Sequence, residues 1–171
     1  MKSVIVLAMH GSPPRDFPRP ELVEFMSLHA RLEASAVSHS PALESRYAEL
    51  EQKMRGWPRS RQNDPFFVSS QEIATALERA SGYAVIPGFN EFCAPSLDEA
   101  LERAVSSGAV RVFVVTPMMT RGGEHSEKDI AQAVKKVQEK HPDVRFVYAW
   151  PFETLEVAGF LANQIKKFEN V

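Results

Sequence analysis

The sequence is poor in cysteine and has no long apolar segment. Only one of its 171 residues, Cys93, is a cysteine, so neither an intrachain disulfide framework nor a cysteine zinc cluster can form. No apolar run reaches the roughly 18 residues that a membrane-spanning helix needs. The net charge is −2 with neutral histidines, which provides no basic field for nucleic acid. We therefore expect a cytoplasmic protein that binds neither nucleic acid nor a membrane.

Motifs of several large enzyme classes are also absent. No P-loop occurs and no GxGxxG segment follows an apolar run, so we expect no nucleotide cofactor. No GxSxG nucleophile elbow is present either. Ser12 nevertheless lies close to His10, which leaves a metal-independent hydrolase open. Cys93 lies close to Glu91, but we interpret it as a buried structural thiol.

The chain does contain a regular alternation of short apolar runs and helical repeats. The apolar runs predict strands at 3–8, 83–87, 110–115 and 144–149. Helical spacing and capping patterns predict helices at 21–34, 41–55 and 153–168, and three more that open at Ser69, at Ser96 and at Ser126 with Asp129. This alternation predicts a flavodoxin-like α/β fold. We expect a parallel sheet of at least four strands, in the order 2-1-3-4, with helices on both faces.

The length predicts one domain over residues 1–171, with a helical insertion at about 19–66. The first helix of this insertion has an apolar stripe that needs a partner surface. The partner is either the protein's own sheet or a second subunit. The stripe consists of Leu22, Phe25, Met26, Leu28 and Leu32.

Three ionisable residues follow three different predicted strands. They are His10, Glu91 and His125. Because ligands bind at the carboxyl ends of parallel strands, these residues can converge on one rim of the sheet. Two imidazoles and a carboxylate suit a divalent metal such as Fe²⁺, Co²⁺, Ni²⁺ or Zn²⁺, and they also suit proton transfer near neutral pH. The pattern alone leaves both roles open, together with that of ordinary loop residues. Further apolar side chains near strand ends could form a wall for a flat ligand or simply pack: Met118, Met119, Trp150 and Phe152.

Four segments together resemble the class II chelatases of tetrapyrrole biosynthesis, in particular the small CbiX type that inserts cobalt into sirohydrochlorin. They are VIVLAMHGS, GFNEFCAPSLDEALERAV, VRVFVVTPMMTRGGEHSEKDI and HPDVRFVYAWPF. The resemblance implies that His10 and His125 bind the metal and that Glu91 acts with them in catalysis. It also implies a tetrapyrrole substrate, a divalent metal as second substrate (Co²⁺ first, then Fe²⁺ or Ni²⁺), no ATP, and a homodimer of single lobes.

The sequence departs from the chelatase pattern in two places. Ala94 stands where the family often has a second acid. The chain between His10 and Glu91 is also roughly fifty residues longer than in the shortest members, and a segment of that length has its own structure or role. A tetrapyrrole or metal carrier that binds without catalysing is therefore an alternative to a chelatase.

Overall fold

The computed structural model describes residues 2–34 and 40–169, with residues 33 and 34 described by their backbone only. Residues 35–39 of the predicted insertion lie outside the described residues. Within the described residues, four strands form one sheet in the order β2-β1-β3-β4, and every neighbouring pair is parallel. The strands are β1 Ser3–Met9, β2 Ala84–Phe89, β3 Arg111–Val115 and β4 Arg145–Tyr148. The predicted strand order and the flavodoxin-like architecture are confirmed.

Helices cover both faces of the sheet, as the alternation of side chains along β1 requires. Val4, Val6 and Ala8 pack into one buried cluster, whereas Leu7 and Met9 pack into another. The described helices are α1 Arg19–Ala34, α2 Pro41–Arg55, α3 Pro65–Ser81, α4 Leu97–Ser106, α5 Ile130–Lys140 and α6 Thr154–Lys166. The first cluster includes residues of α4 and α5, and the second includes residues of α1, α2 and α3.

Of the three helix starts predicted at capping residues, two are wrong and one is confirmed. The helix predicted to open at Ser69 begins at Pro65, because the Asp64 carboxylate accepts from the Phe67 amide and proline fits the first helical position. Ser96 does open α4 with the predicted capping box, in which it exchanges hydrogen bonds with Glu99.

The third predicted start, at Ser126 with Asp129, is also wrong. Residues His125–Asp129 form a π-helical turn that leads into α5, and neither side chain caps it. The Ser126 hydroxyl donates instead to the Gly123 carbonyl, and Asp129 pairs with His125. Single π-turns of this kind occur frequently at functional sites.

The apolar stripe of α1 is divided between the core and the surface. Phe25 and Leu28 are buried in the protein's own second cluster, together with Leu50 and Met54 of α2. Met26 remains 44% exposed. The protein's own core is therefore the main partner of this stripe.

The last helix packs differently from the others. No residue of α6 is buried, and several of its large apolar side chains are exposed. Within the part of the chain that the structure describes, no helix is both long and apolar enough to cross a bilayer. The most exposed apolar side chains of α6 are Leu155, Phe160, Leu161 and Ile165.

Candidate metal and tetrapyrrole site

The structure brings together the three ionisable side chains that follow β1, β2 and β3. One ligand atom from each of His10, Glu91 and His125 can be chosen so that all three atoms lie within 4.8 Å of one another. Two ligands on one ion, with bonds of about 2.1 Å, lie at most about 4.2 Å apart. The observed spacing is close to that limit, so this cluster is a candidate site for a divalent metal.

Backbone contacts hold the loops of His10 and Glu91 against each other. The Glu91 amide donates to the His10 carbonyl at 2.9 Å, and the Asn90 amide donates to the Met9 carbonyl at 2.9 Å. Gly11 adopts a φ of +106°, and a Cβ there would lie 2.0 Å from the Glu91 carbonyl oxygen. Glycine at position 11 is therefore required for the close approach of the two loops.

The two imidazoles of the cluster meet edge to face. Their ring centroids are 4.5 Å apart with an interplanar angle of 78°. The Nδ1 atom of His10 lies 3.1 Å from the Gly11 carbonyl oxygen, and Nδ1 of His125 lies 2.6 Å from an Asp129 carboxylate oxygen. An acceptor at Nδ1 favours the tautomer with its proton there, which leaves each Nε2 free to bind a metal.

Asp129 was not recognised as a site residue from the sequence. It was predicted to open a helix, but its carboxylate orients His125 from four residues away. Carboxylates in this position typically fix the ring orientation of a metal-binding histidine. The sequence does contain a signal for this contact: the histidine and the aspartate are four positions apart, and residues at i and i+4 lie on the same side of a helix.

His29 is a second residue that the sequence did not reveal. It lies on α1, and its Nε2 atom is 3.7 Å from Oε1 of Glu91. The other oxygen of Glu91 lies 3.7 Å from Nδ1 of His10. No local pattern predicts this contact, because it depends on how α1 packs over the end of β2.

A buried ion pair lies behind the two loops. The side chains of Arg59 and Asp64 are 5% and 0% exposed and meet at 2.6 Å. The guanidinium also donates to the Ser12 carbonyl at 2.7 Å and to the Phe92 carbonyl at 2.5 Å. Arg59 therefore connects the loop that follows His10 to the loop that follows Glu91.

The Ser12 and Cys93 side chains point toward this ion pair. The Ser12 hydroxyl donates to Asp64 at 2.9 Å, so it is engaged away from His10 and does not form the Ser–His pair that a hydrolase would use. Cys93 is fully buried, and burial raises the pKa of its thiol, which keeps it protonated. The predicted structural role of Cys93 agrees with this environment.

Two concave surfaces border the cluster. One cavity of about 400 Å³ lies under α1 and α2. Its lining includes two histidines, His29 and His125, one arginine, Arg55, and four acids, Glu51, Glu91, Asp98 and Asp129. The other surface lies beside His125, and its apolar lining residues are Pro117, Met118, Met119, Val157 and Leu161. Trp150 and Phe152, the other two apolar residues predicted near strand ends, are not among these lining residues. Their rings contact each other, with centroids 5.8 Å apart.

The structure is thus a parallel α/β fold in which two histidines and a glutamate form a candidate metal site at the carboxyl ends of the strands. A model of the CbiX family matches residues 54–167, which is more than half of the chain, and the chain therefore belongs to the CbiX family. The matched range contains Glu91 and His125, whereas His10 lies before it.

Two relatives from Priestia megaterium match the chain over part of its length. One is a sirohydrochlorin ferrochelatase, 31% identical over 80 residues, which are 46% of this chain and 30% of that protein. The other is a sirohydrochlorin cobaltochelatase, 37% identical over 70 residues, which are 41% of this chain and 22% of that protein. The matches thus span less than a third of each relative.

A solved structure shares the fold along nearly the whole chain. It is described as the cobalamin (vitamin B12) biosynthesis CbiX protein of Marinobacter aquaeolei VT8. The TM-score is 0.52 at 18% identity, and the match covers 99% of this chain and 95% of that one. At this identity the likeness supports the fold alone.

Proposed function

We propose that this protein inserts a divalent metal, with cobalt the first candidate, into a sirohydrochlorin-type tetrapyrrole without ATP. The observation that carries the proposal is the convergence of His10, Glu91 and His125 within 4.8 Å at the rim of a CbiX-family fold. The names of the two relatives support sirohydrochlorin as the macrocycle, and they leave cobalt and iron as alternatives.

The reaction requires both a metal-binding face and a proton acceptor. A free-base macrocycle loses two pyrrole protons as a divalent metal enters it, so the two positive charges that arrive with the metal leave as protons. In our proposal, Nε2 of His10 and Nε2 of His125 bind the incoming metal. Glu91, whose side chain is 22% exposed, accepts one of the protons, and the other passes to solvent water, which reaches the rim beside the 43% exposed His10 side chain. The apolar surface beside His125 suits one face of a flat macrocycle.

An insertion assay tests this proposal. Sirohydrochlorin is mixed with the protein and with Co²⁺, Fe²⁺ or Ni²⁺ in parallel, and the change in macrocycle absorption is compared with the uncatalysed rate. We expect the fastest insertion with Co²⁺, and loss of most of the activity in His10→Ala and in His125→Ala, because each substitution removes a metal ligand. Both side chains are partly exposed, so the two variants should remain folded.

Three results would contradict parts of the proposal. Binding of the macrocycle without acceleration would identify a carrier. An esterase or amidase activity that is indifferent to metal would identify a hydrolase. Full insertion activity in a folded His10→Ala/His125→Ala double variant would eliminate the proposed mechanism.

We further infer that the protein is a cytoplasmic homodimer in which α6 contributes to the contact. The support is the row of exposed apolar side chains on a helix with no buried residue. Light scattering should give twice the chain mass of 19.1 kDa. Phe160→Glu combined with Ile165→Glu should give the monomer mass, since both side chains are more than half exposed. A monomeric wild-type protein would contradict the inference.

A further inference from the structure

Glu91 lies between two imidazoles rather than beside one. Its Oε2 atom is 3.7 Å from Nδ1 of His10, and its Oε1 atom is 3.7 Å from Nε2 of His29. The two oxygens of the carboxylate therefore point to different elements. One contact reaches the end of β1, and the other reaches α1 in the inserted segment.

The surroundings of His29 hold its ring plane and place a hydroxyl next to its Nδ1 atom. The ring stacks on Phe25 at 6.1 Å and 8°, and on Tyr47 at 6.0 Å and 16°. The Tyr47 hydroxyl lies 3.3 Å from Nδ1. When that hydroxyl donates to Nδ1, the ring proton is on Nε2, which is the atom that faces Glu91. In that tautomer the Nε2 proton faces Oε1 across 3.7 Å, an electrostatic contact that is longer than a hydrogen bond.

We propose that His29 is a positioning residue for the metal-insertion site, which it serves by holding Oε1 of Glu91 so that Oε2 faces His10. The inference rests on the proposed function and adds a residue of the inserted segment to the site. A glutamate side chain that is 22% exposed can adopt several rotamers. A second anchor on its carboxylate reduces that freedom, and partners of this kind typically change metal affinity or activity by about 10- to 100-fold.

A purely structural role for His29 would depend on its ring, whereas a positioning role depends on its Nε2 proton. Two variants of similar side-chain length separate these roles. His29→Gln retains an N–H donor near the position of Nε2, and His29→Met retains apolar volume without a donor. His141→Met is the matched control, because His141 also pairs with a glutamate, at 2.8 Å from Glu102, but it follows the end of α5 and lies outside the site.

The experiment measures kcat and KM for sirohydrochlorin and the affinity for Co²⁺ alone, in the full chain. We expect His29→Met to lower kcat by about 10-fold with an unchanged KM. His29→Gln should retain most of kcat, and His141→Met should match the wild type. In a Glu91→Ala background, His29→Met should cause no further loss, because the residue acts through Glu91.

Each outcome distinguishes this inference from the proposed function. Equal activity of the Met and Gln variants, or the same loss with and without Glu91, would overturn the role of His29 while insertion by the wild type stands. If the wild type binds Co²⁺ but does not insert it, the proposed function fails. The role of His29 would then be judged by Co²⁺ affinity, which should fall about 10-fold in His29→Met and remain in His29→Gln. Equal Co²⁺ affinities of the His29→Met and His29→Gln variants would overturn the proposed role of His29.

Discussion

Replacing Arg59 with methionine should destabilise the protein and disorganise its site together. The guanidinium is the counter-ion of Asp64, whose side chain is fully buried, and it donates to the carbonyls of Ser12, Met54 and Phe92. Removing one partner of a buried ion pair costs about 3–5 kcal/mol, because the other charge stays buried without compensation.

Two details of the structure adjust this magnitude in opposite directions. Three carbonyl groups lose a donor, which raises the cost. The buried Nε of Arg59 has no hydrogen-bond partner among the described residues, and methionine removes that unfavourable group. We therefore expect a loss near the centre of the range, about 4 kcal/mol in the free energy of unfolding.

Urea denaturation measures this loss against a matched control. With a slope of about 2 kcal/mol per molar urea, the unfolding midpoint should fall by about 2 M. Arg61→Met removes the same type of side chain from an exposed pair with Glu72, in which the two side chains are 64% and 58% exposed. An exposed pair contributes at most about 1 kcal/mol, so the midpoint of this control should move by less than about 0.5 M.

The reasoning would be refuted if the two arginine variants had the same midpoint. It would also be refuted if Arg59→Met, in urea-free buffer where it is folded, inserted metal at the wild-type rate. Arg59 holds the loops that follow His10 and Glu91, so activity should fall even in the folded fraction.

Two further predictions concern Asp129, on the turn that carries His125, and Tyr148 of β4, whose hydroxyl donates to the Ser126 carbonyl of that turn at 2.7 Å. Asp129→Ala should lower the affinity for Co²⁺ by about 10- to 100-fold, because it removes the acceptor from Nδ1 of His125, and it should cost little stability, because the Asp129 side chain is 45% exposed. Calorimetric titration measures the affinity, with Glu124→Ala as the control. Equal Co²⁺ affinities of the Asp129→Ala and Glu124→Ala variants would contradict the prediction. Burial raises the pKa of Tyr148 from 10.0 to about 12, so its contribution to stability is complete below pH 10 and is lost as the pH rises to about 12. Tyr148→Phe should therefore remove part of the alkaline loss of stability between these pH values, and parallel stability–pH curves of the two proteins would contradict this.

Periodicity and strand order were sufficient to predict that three candidate site residues converge. Residues that follow consecutive parallel strands must emerge at one rim, and His10, Glu91 and His125 do lie near one another there. Capping patterns were less reliable. Ser69 with Glu72 matches a capping box, but Asp64 is followed by proline and competes with it as the cap.

The contributions of Asp129, His29 and Arg59 depend on contacts that local patterns specify poorly or not at all. Asp129 lies four residues from His125, so a correct helical register would have revealed it. His29 and Glu91 are 62 positions apart in the chain, and Arg59 contacts Phe92 across 33 positions. Such pairs are determined by how α1 and the end of α2 pack over the sheet.

The segment predicted as an insertion, at about 19–66, cannot be removed as a unit to test its role. Leu50 and Met54 of α2 are buried in the second core cluster, and Arg59 neutralises Asp64 at the start of α3. Deleting residues 36–63 would remove all three side chains and leave the Asp64 carboxylate buried without its partner. Loss of activity after such a deletion would follow from unfolding whether or not the segment has a role in the site. The role of this segment in the site must therefore be separated from its role in the core by other means. Single substitutions at exposed or half-buried positions, such as His29, can do this.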